Sequence, residues 1–278
     1  MVVLVVVVVV GWGWSQVGDA SGGRTGGAAR GRVGSRCGRC RWVECPGCRL
    51  RSDCARWLSI RFRESAGARM GSSALDGSVS RRDLEALGWV CEQYAARIDQ
   101  VAARLGCKVR VAQRLAVRLR EARLVEVRRV LVGEPAWVVP TVKGLRACGL
   151  SFGLWRPRLG ALAHVAAVTD VRLHIQASAP EAGWVGERVL AREKQGAREH
   201  LADGVVVLDE RRIAIEVELT VKSKRRTRAI IEELTGRYDA VLYFCAPGPR
   251  RLIRELAAGG EWPSLGIREL PGRGGDLA

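Results

Sequence analysis

Two apolar, β-branched runs, Val205–Leu208 and Ile213–Leu219, stand only four residues apart, and no other feature limits the fold of this chain so tightly. Runs this short with so little between them pair as an antiparallel hairpin, with Asp209-Glu210-Arg211-Arg212 as the expected turn. Strand side chains alternate between faces, so Glu216 and Glu218 in the second run point the same way. Asp203, at the mouth of the first run, is then expected beside Glu216. Three carboxylates converging at a sheet edge, with Lys222 four residues past Glu218, suit a divalent-metal site for phosphodiester chemistry, because hard cations take oxygen ligands. The same acids also fit a solvated face, since antiparallel sheets often keep one wet side, and on these residues alone the two readings stand even.

Charge favours a polyanionic partner. The net charge is +17 and the sequence pI about 10.5, carried mostly by arginine, which makes nucleic acid the first candidate. Residues 80–150 hold 14 basic and 7 acidic side chains, whereas residues 151–278 hold 20 and 17, so the earlier segment is the expected anchor. A length of 278 residues allows two modest domains.

Residues 1–69 differ from the rest of the chain. A valine homopolymer, a Gly/Arg/Ser-rich stretch and a Cys/Arg/Trp cluster succeed one another without periodicity, so this segment reads as a disordered extension or an over-extended translation start, with Met70 the expected beginning. The apolar opening is ten residues long, too short to span a bilayer, and lacks a basic flank before it. Cys37, Cys40, Cys45 and Cys48 have paired spacing that resembles a zinc site, but the four-residue spacer between the pairs is shorter than such sites use, and zinc is disfavoured. Beyond Cys54 the other four cysteines are scattered singly, which fits a reducing cytoplasm; no membrane partner is expected, since the opening run cannot span a bilayer.

From Ser80 the pattern becomes helical. Ser80 is the expected cap of a helix carrying Leu84, Leu87, Val90 and Cys91 on one face; a second helix is expected over Ala95–Leu105 and a third over Val109–Arg123. Val111, Leu115, Leu119 and Ala122 form the expected apolar stripe of the third, beside Arg110, Arg114 and Arg118, with Lys108 near its start. Strand-like runs Leu124–Val132 and Ala136–Thr141 follow, then a short helix over Val142–Ala147. Three helices and a hairpin are the order of a winged helix-turn-helix, which would lay Arg110, Arg114 and Arg118 along a major groove and bring Arg128 and Arg129 to phosphate. A solvated arginine face is the plainer reading of the stripe; its position, the wing and the local charge favour double-stranded DNA.

Beyond a linker over 149–160 comes a helix from about Leu159 to Gln176 bearing His164 and His174, both read as structural. Trp184–Leu190 is a short strand or helix end carrying Glu187. After the hairpin, a helix over Ser223–Leu234, a strand over Ala240–Cys245, a helix over Arg250–Ala258 and a strand over Leu265–Glu269 give βαβαβ order, hence an α/β part with a mixed sheet.

These residues carry a family resemblance. The winged-helix segment, His164, Trp184-x-x-Glu187, Ala202-Asp203-Gly204, Glu216-Val-Glu218-Leu-Thr-x-Lys222-Ser223 and Tyr238-Asp239-x-Val-x-Tyr243-Phe244 resemble the replication-relaxation family of plasmid and mobile-element proteins over roughly residues 80–270. The second half is similar to the PD-(D/E)xK nuclease superfamily. The resemblance implies an α+β / α/β architecture, with a winged helix over residues 80–149 and a restriction-endonuclease-like domain over residues 159–272. It implies that Asp203 and Glu216 hold Mg2+ or Mn2+, that Glu187 is the acid from the first helix, and that Lys222 supplies positive charge beside Glu218. Ala202 stands where the superfamily motif has proline, and Glu218 stands where it has lysine, the lysine being displaced to the following helix.

Two functions emerge as expectations. One is a DNA-binding protein of plasmid or mobile-element replication whose nuclease-like domain nicks DNA through Asp203, Glu216, Glu218 and Lys222. The other is a non-enzymatic regulator that binds duplex through its arginines and keeps an inactive nuclease-like domain for partner contact. A homodimer or replication and mobilisation proteins are the expected protein partners. A third, weaker reading is a zinc-dependent protein organised by Cys37 to Cys54.

Overall fold

The computed structural model describes residues 79–193 and 199–272. The expectations for residues 1–69, including the cysteine cluster and its zinc, and for a start at Met70 lie outside the described residues. The described residues all belong to one unit.

Ser80 starts helix α1 (Arg81–Glu92) by accepting from the Asp83 amide at 3.2 Å, while the Ser80 amide donates back to the Asp83 carboxylate at 3.1 Å. The reciprocal pair satisfies two amides that a helix start leaves without partners. After α1 the chain turns at Tyr94, in the left-handed region at φ 71°, into the short strand β1 (Ala96–Arg97). Helix α2 (Ile98–Arg104) therefore starts later than periodicity suggests, because Ala96 and Arg97 pair with a strand near Trp137. Helix α3 (Val109–Glu121) buries Ala112, Leu115, Ala116 and Leu119, the i, i+3, i+4, i+7 face. Val111, expected on that face, is 41% exposed; the stripe is rotated by one position.

Strand β2 (Val125–Arg128), strand β3 (Trp137–Pro140) and β1 form a three-stranded antiparallel sheet in the order β1-β3-β2, with both hairpin strands shorter than expected. Helix α4 (Val142–Ala147) is capped by Thr141, whose hydroxyl accepts from the Gly144 amide at 3.0 Å. Gly144 lies so close to the β2 entry that a Cβ there would come within 2.0 Å of the Leu124 carbonyl oxygen.

Helix α5 (Leu159–Ser178) follows a loop and runs between the helical part and the second sheet. Burial on several sides explains why its apolar residues form no single stripe. Toward the helical part, Leu162, Val165 and Ala166 pack with Trp137, Val139 and Ala95. Buried polar groups fix the same seam: Gln100 donates to Asp170 and to the Ala166 carbonyl, both at 2.8 Å, and Arg97 pairs with Asp170 at 3.3 Å. The buried Arg172 pairs with Glu92 at 2.8 Å, its guanidinium centred 5.5 Å from the Trp89 ring and 5.7 Å from the Trp184 ring.

The second sheet has five strands in the order β4 (Gly183–Gly186), β5 (Gly204–Leu208), β6 (Arg211–Glu218), β7 (Ala240–Cys245) and β8 (Leu265–Glu269). The first three are antiparallel; β6, β7 and β8 are parallel neighbours. Helix α6 (Glu187–Glu193) follows β4, and helices α7 (Lys224–Thr235) and α8 (Pro247–Ala257) make the crossovers that parallel strands require. Strands β6 and β7 are fully covered from Ile213 and Ala240 onward, which accounts for the unbroken apolar run of β7 and for the apolar character of β6 apart from Glu216 and Glu218. The hairpin turn is Asp209-Glu210 alone, both at positive φ (47° and 66°), and Arg211 and Arg212 belong to the strand. Positive φ at both central residues gives the right-handed strand twist that a two-residue connection needs. The architecture is thus α+β, with a mixed five-stranded and an antiparallel three-stranded sheet. Among the described residues no helix is long and apolar enough to cross a membrane.

Candidate functional site

The hairpin register sets the site. Gly204 faces Ile215, so Asp203, one residue before β5, comes level with Glu216 on β6. The Val217 amide donates to Asp203 Oδ2 at 2.7 Å, which pins the carboxylate against the β6 backbone. The Asp203 carbonyl in turn accepts from the Glu187 amide at 3.3 Å, bringing the first residue of α6 to the same end of the sheet. Gly204 permits this closeness: a Cβ there would sit 2.3 Å from the Trp184 ring. Asp203, Glu216 and Glu187 thus lie at the same end of the sheet.

Each carboxylate meets a protein donor. His164 Nε2, from α5, lies 2.9 Å from Asp203 Oδ1; His200 Nε2 lies 3.0 Å from Glu216 Oε1; the Tyr94 hydroxyl donates to Glu187 Oε2 at 3.1 Å. The His200 amide also donates to Glu233 of α7 at 2.7 Å, which fixes the loop carrying the imidazole. His164 belongs to the site rather than to the scaffold, contrary to expectation, and neither His200 nor Tyr94 is expected there from the sequence. His200-x-x-Asp203 is the one local signal that could have flagged His200. Tyr94 has none, being 93 residues from its partner.

The acids crowd one another electrostatically. Burial first, then the charge of Asp203, pushes the Glu216 carboxyl up to about 7, against the hydrogen bond from His200. Burial and then Asp203 also raise Glu187, opposed by the Tyr94 hydrogen bond and the histidine charges. The bond to Glu216 is the largest influence on His200 and raises it; for His164 burial is the largest and acts downward, but the Asp203 bond and neighbouring acids outweigh it.

Glu218 lies two residues along β6 from Glu216, and both are buried, at 8% and 3% exposure. Lys222 forms an ion pair with Glu218. It does so from the loop ahead of α7, which corrects its expected placement in the helix; α7 starts only at Lys224, capped by Ser223. Its ammonium also opposes the rise at Glu216.

In donor chemistry and charge, three mutually repelling carboxylates fit a hard divalent cation. In this conformation each is turned onto a protein donor, and among the described residues no group of three or more His, Cys, Asp or Glu side chains is arranged to hold a metal ion.

The expected DNA contacts lie elsewhere. Lys108, Arg110 and Arg114 are exposed on or beside α3, and Arg129 follows β2; none has an ion-pair partner among the described residues. Arg118 is exposed too, but its guanidinium holds Asp83 at 2.7 Å, and Arg128 holds Glu126 at 2.6 Å. Four of the six cations are thus uncommitted, and two already neutralise an acid.

No family model matches the chain, and no curated protein matches it. A solved structure described as PigF with SAH is similar at 15% identity and a TM-score of 0.17, over 69% of this chain and 65% of that one. The chain therefore spans slightly under two thirds of the length of that solved chain.

Proposed function

We propose that this protein binds duplex DNA and hydrolyses a phosphodiester bond in it, as a winged helix joined to a PD-(D/E)xK-like domain of the replication-relaxation type. The convergence of Asp203, Glu216 and Glu187 at one end of a mixed sheet carries the reading. Support for the winged helix comes from the order α1-β1-α2-α3-β2-β3 and the uncommitted cations on α3. Support for the nuclease-like fold comes from α5, then three antiparallel strands, then α7 and a parallel strand, with the acids where the antiparallel and parallel halves adjoin.

Asp203, Glu216 and Glu187 would hold Mg2+ or Mn2+, which supplies Lewis acidity toward a phosphodiester when bound. The chain's own groups do the rest. Val217 and His164 orient Asp203, His200 orients Glu216, and Lys222 brings a positive charge beside Glu218 that can offset phosphate charge. The balance is that of hydrolysis: water adds to phosphorus and one P–O bond breaks, leaving a phosphate monoester and a hydroxyl.

Supercoiled plasmid incubated with the purified full chain and Mg2+ or Mn2+ tests this. Relaxed circles should accumulate with the wild type, and not with Asp203→Ala or Glu216→Ala, while both variants shift duplex DNA as the wild type does. Nicking unchanged by either substitution rejects the site.

A second reading, a non-enzymatic DNA-binding regulator, is favoured by one observation. Glu218 stands at the lysine position of the motif and is neutralised by Lys222, while every other carboxylate of the site faces a protein donor. No cleavage of any DNA form with either metal, alongside intact binding, selects it.

A further inference from the structure

Two thiols of the helical part lie together, and neither serves the carboxylate site. Cys91, wholly buried, belongs to the last turn of α1; Cys148 closes α4 and is only half-buried, packed against the same apolar cluster. Cys148 Sγ lies 3.9 Å from the Leu84 carbonyl oxygen of α1. Leu84 and Cys91 stand about two turns apart on one face of the helix, and a helical side chain leans over the turn before it, which carries the Cys91 thiol toward Cys148. The two thiols are hydrogen-bond partners. Arg188 fixes both backbones. It donates to the Cys91 carbonyl at 2.7 Å and to the Gly153 carbonyl in the loop after Cys148, and its guanidinium lies 4.6 Å from the Phe152 ring centroid.

The surroundings give the two thiols different roles. The hydrogen bond from Cys91 holds the Cys148 thiol below its ordinary value, against burial and the charge of Glu92, whereas that bond and burial push the Cys91 thiol up. A half-exposed sulfur held as thiolate is the one that attacks, and a covered neighbour completes the exchange. We infer that Cys148 and Cys91 are a reversible disulfide site, oxidised by a low-molecular-weight disulfide such as glutathione disulfide. The Cys148 thiolate attacks one sulfur of that reagent; its S–S bond breaks, and one glutathione leaves with the proton that Cys148 gave up. Cys91 then loses its proton and attacks Cys148 Sγ, and the second glutathione leaves as a thiol. Two protein thiols are oxidised and one glutathione disulfide is reduced to two glutathione molecules. The bridge ties the end of α1 to the end of α4, and its formation needs neither the carboxylates nor DNA.

Incubation of the purified full chain with glutathione disulfide, then alkylation, tryptic digestion without reductant and mass spectrometry, tests the site. The wild type should yield residues 83–97 joined to residues 147–158, two hydrogens lighter than the free peptides together, and dithiothreitol should abolish the linked species. Cys91→Ala should stop the exchange halfway and accumulate glutathione on Cys148. Cys148→Ser, at the less buried position, should leave Cys91 reduced and free of glutathione. The wild-type peptide map decides the matter should either variant fail to fold. Cys91 and Cys148 both recovered alkylated after full oxidation of the exposed thiols overturns the inference, as does a bridge from Cys148 to Cys107. Linked peptides that form only after urea has unfolded the chain overturn it too, and glutathione found on Cys91 in Cys148→Ser rejects the order of attack.

Discussion

The α3 face and the carboxylate site treat charge in opposite ways. On α3, Lys108, Arg110 and Arg114 stand in water, where a charge is well solvated and free to meet phosphate. At the end of the five-stranded sheet, Glu216 and Glu218 are almost wholly covered, where charge is strongly disfavoured unless partnered, and partners surround them. Exposed charge without a partner suits transient, salt-sensitive contact; buried charge with several partners suits fixed geometry. The proposed division, recognition in the first region and chemistry in the second, rests on that difference.

The largest effect should come from crossing the two regions in one assay. Glu216→Ala should lower the plasmid nicking rate at least 100-fold at saturating DNA, whereas Arg110→Ala should leave that rate intact and raise only the DNA concentration needed. Equal effects on the rate would erase the division. Next is the seam between the regions: Arg172→Ala removes a buried cation from Glu92 and from between two indoles, and should cost about 3 kcal/mol in urea unfolding. A cost below about 1 kcal/mol would mean that the seam is held by apolar packing alone.

For the α3 face, the double variant Arg110→Ala, Arg114→Ala should reduce the slope of log affinity against log salt by about 2, one unit per phosphate contact. An unchanged slope would remove both from the DNA interface. The smallest effect concerns Asp83, where exposed and buried charge meet. Burial pushes this carboxyl upward, but the hydrogen bond from Arg118 and those from Ser80 outweigh it and hold it below the ordinary aspartate value. A lowered folded value stabilises above the unfolded pKa of about 3.9 and is lost as pH falls through the folded value. Arg118→Ala should therefore be about 1 kcal/mol less stable than wild type at pH 7. The two should converge on acidification below about pH 4; a gap that persists there would assign the loss to packing.

Sequence legibility also differs between the regions. The helices are readable because residues such as Leu115 and Leu119 fall at helical spacing, and the hairpin because two short apolar runs flank a four-residue polar break. Strand β1 is not, since two residues carry no period and only their pairing with β3 makes them a strand. The turn at Asp209-Glu210 reads as too long because neither residue is the glycine or asparagine that signals positive φ. Asp203 and Glu216 are legible together because a short hairpin joins them. His164 is not, because its meeting with Asp203 depends on how α5 lies across the sheet, which no local pattern encodes.

Sequence separation grades the three acids and the hydroxyl by how they reach one another. Asp203 finds the β6 backbone across 14 residues, a loop that closes at small entropic cost, whereas Tyr94 reaches Glu187 from 93 residues away. A molecule whose two halves drifted apart by a few ångströms would keep its acidic hairpin and lose its phenol, making the tyrosine contact the first casualty of loosening.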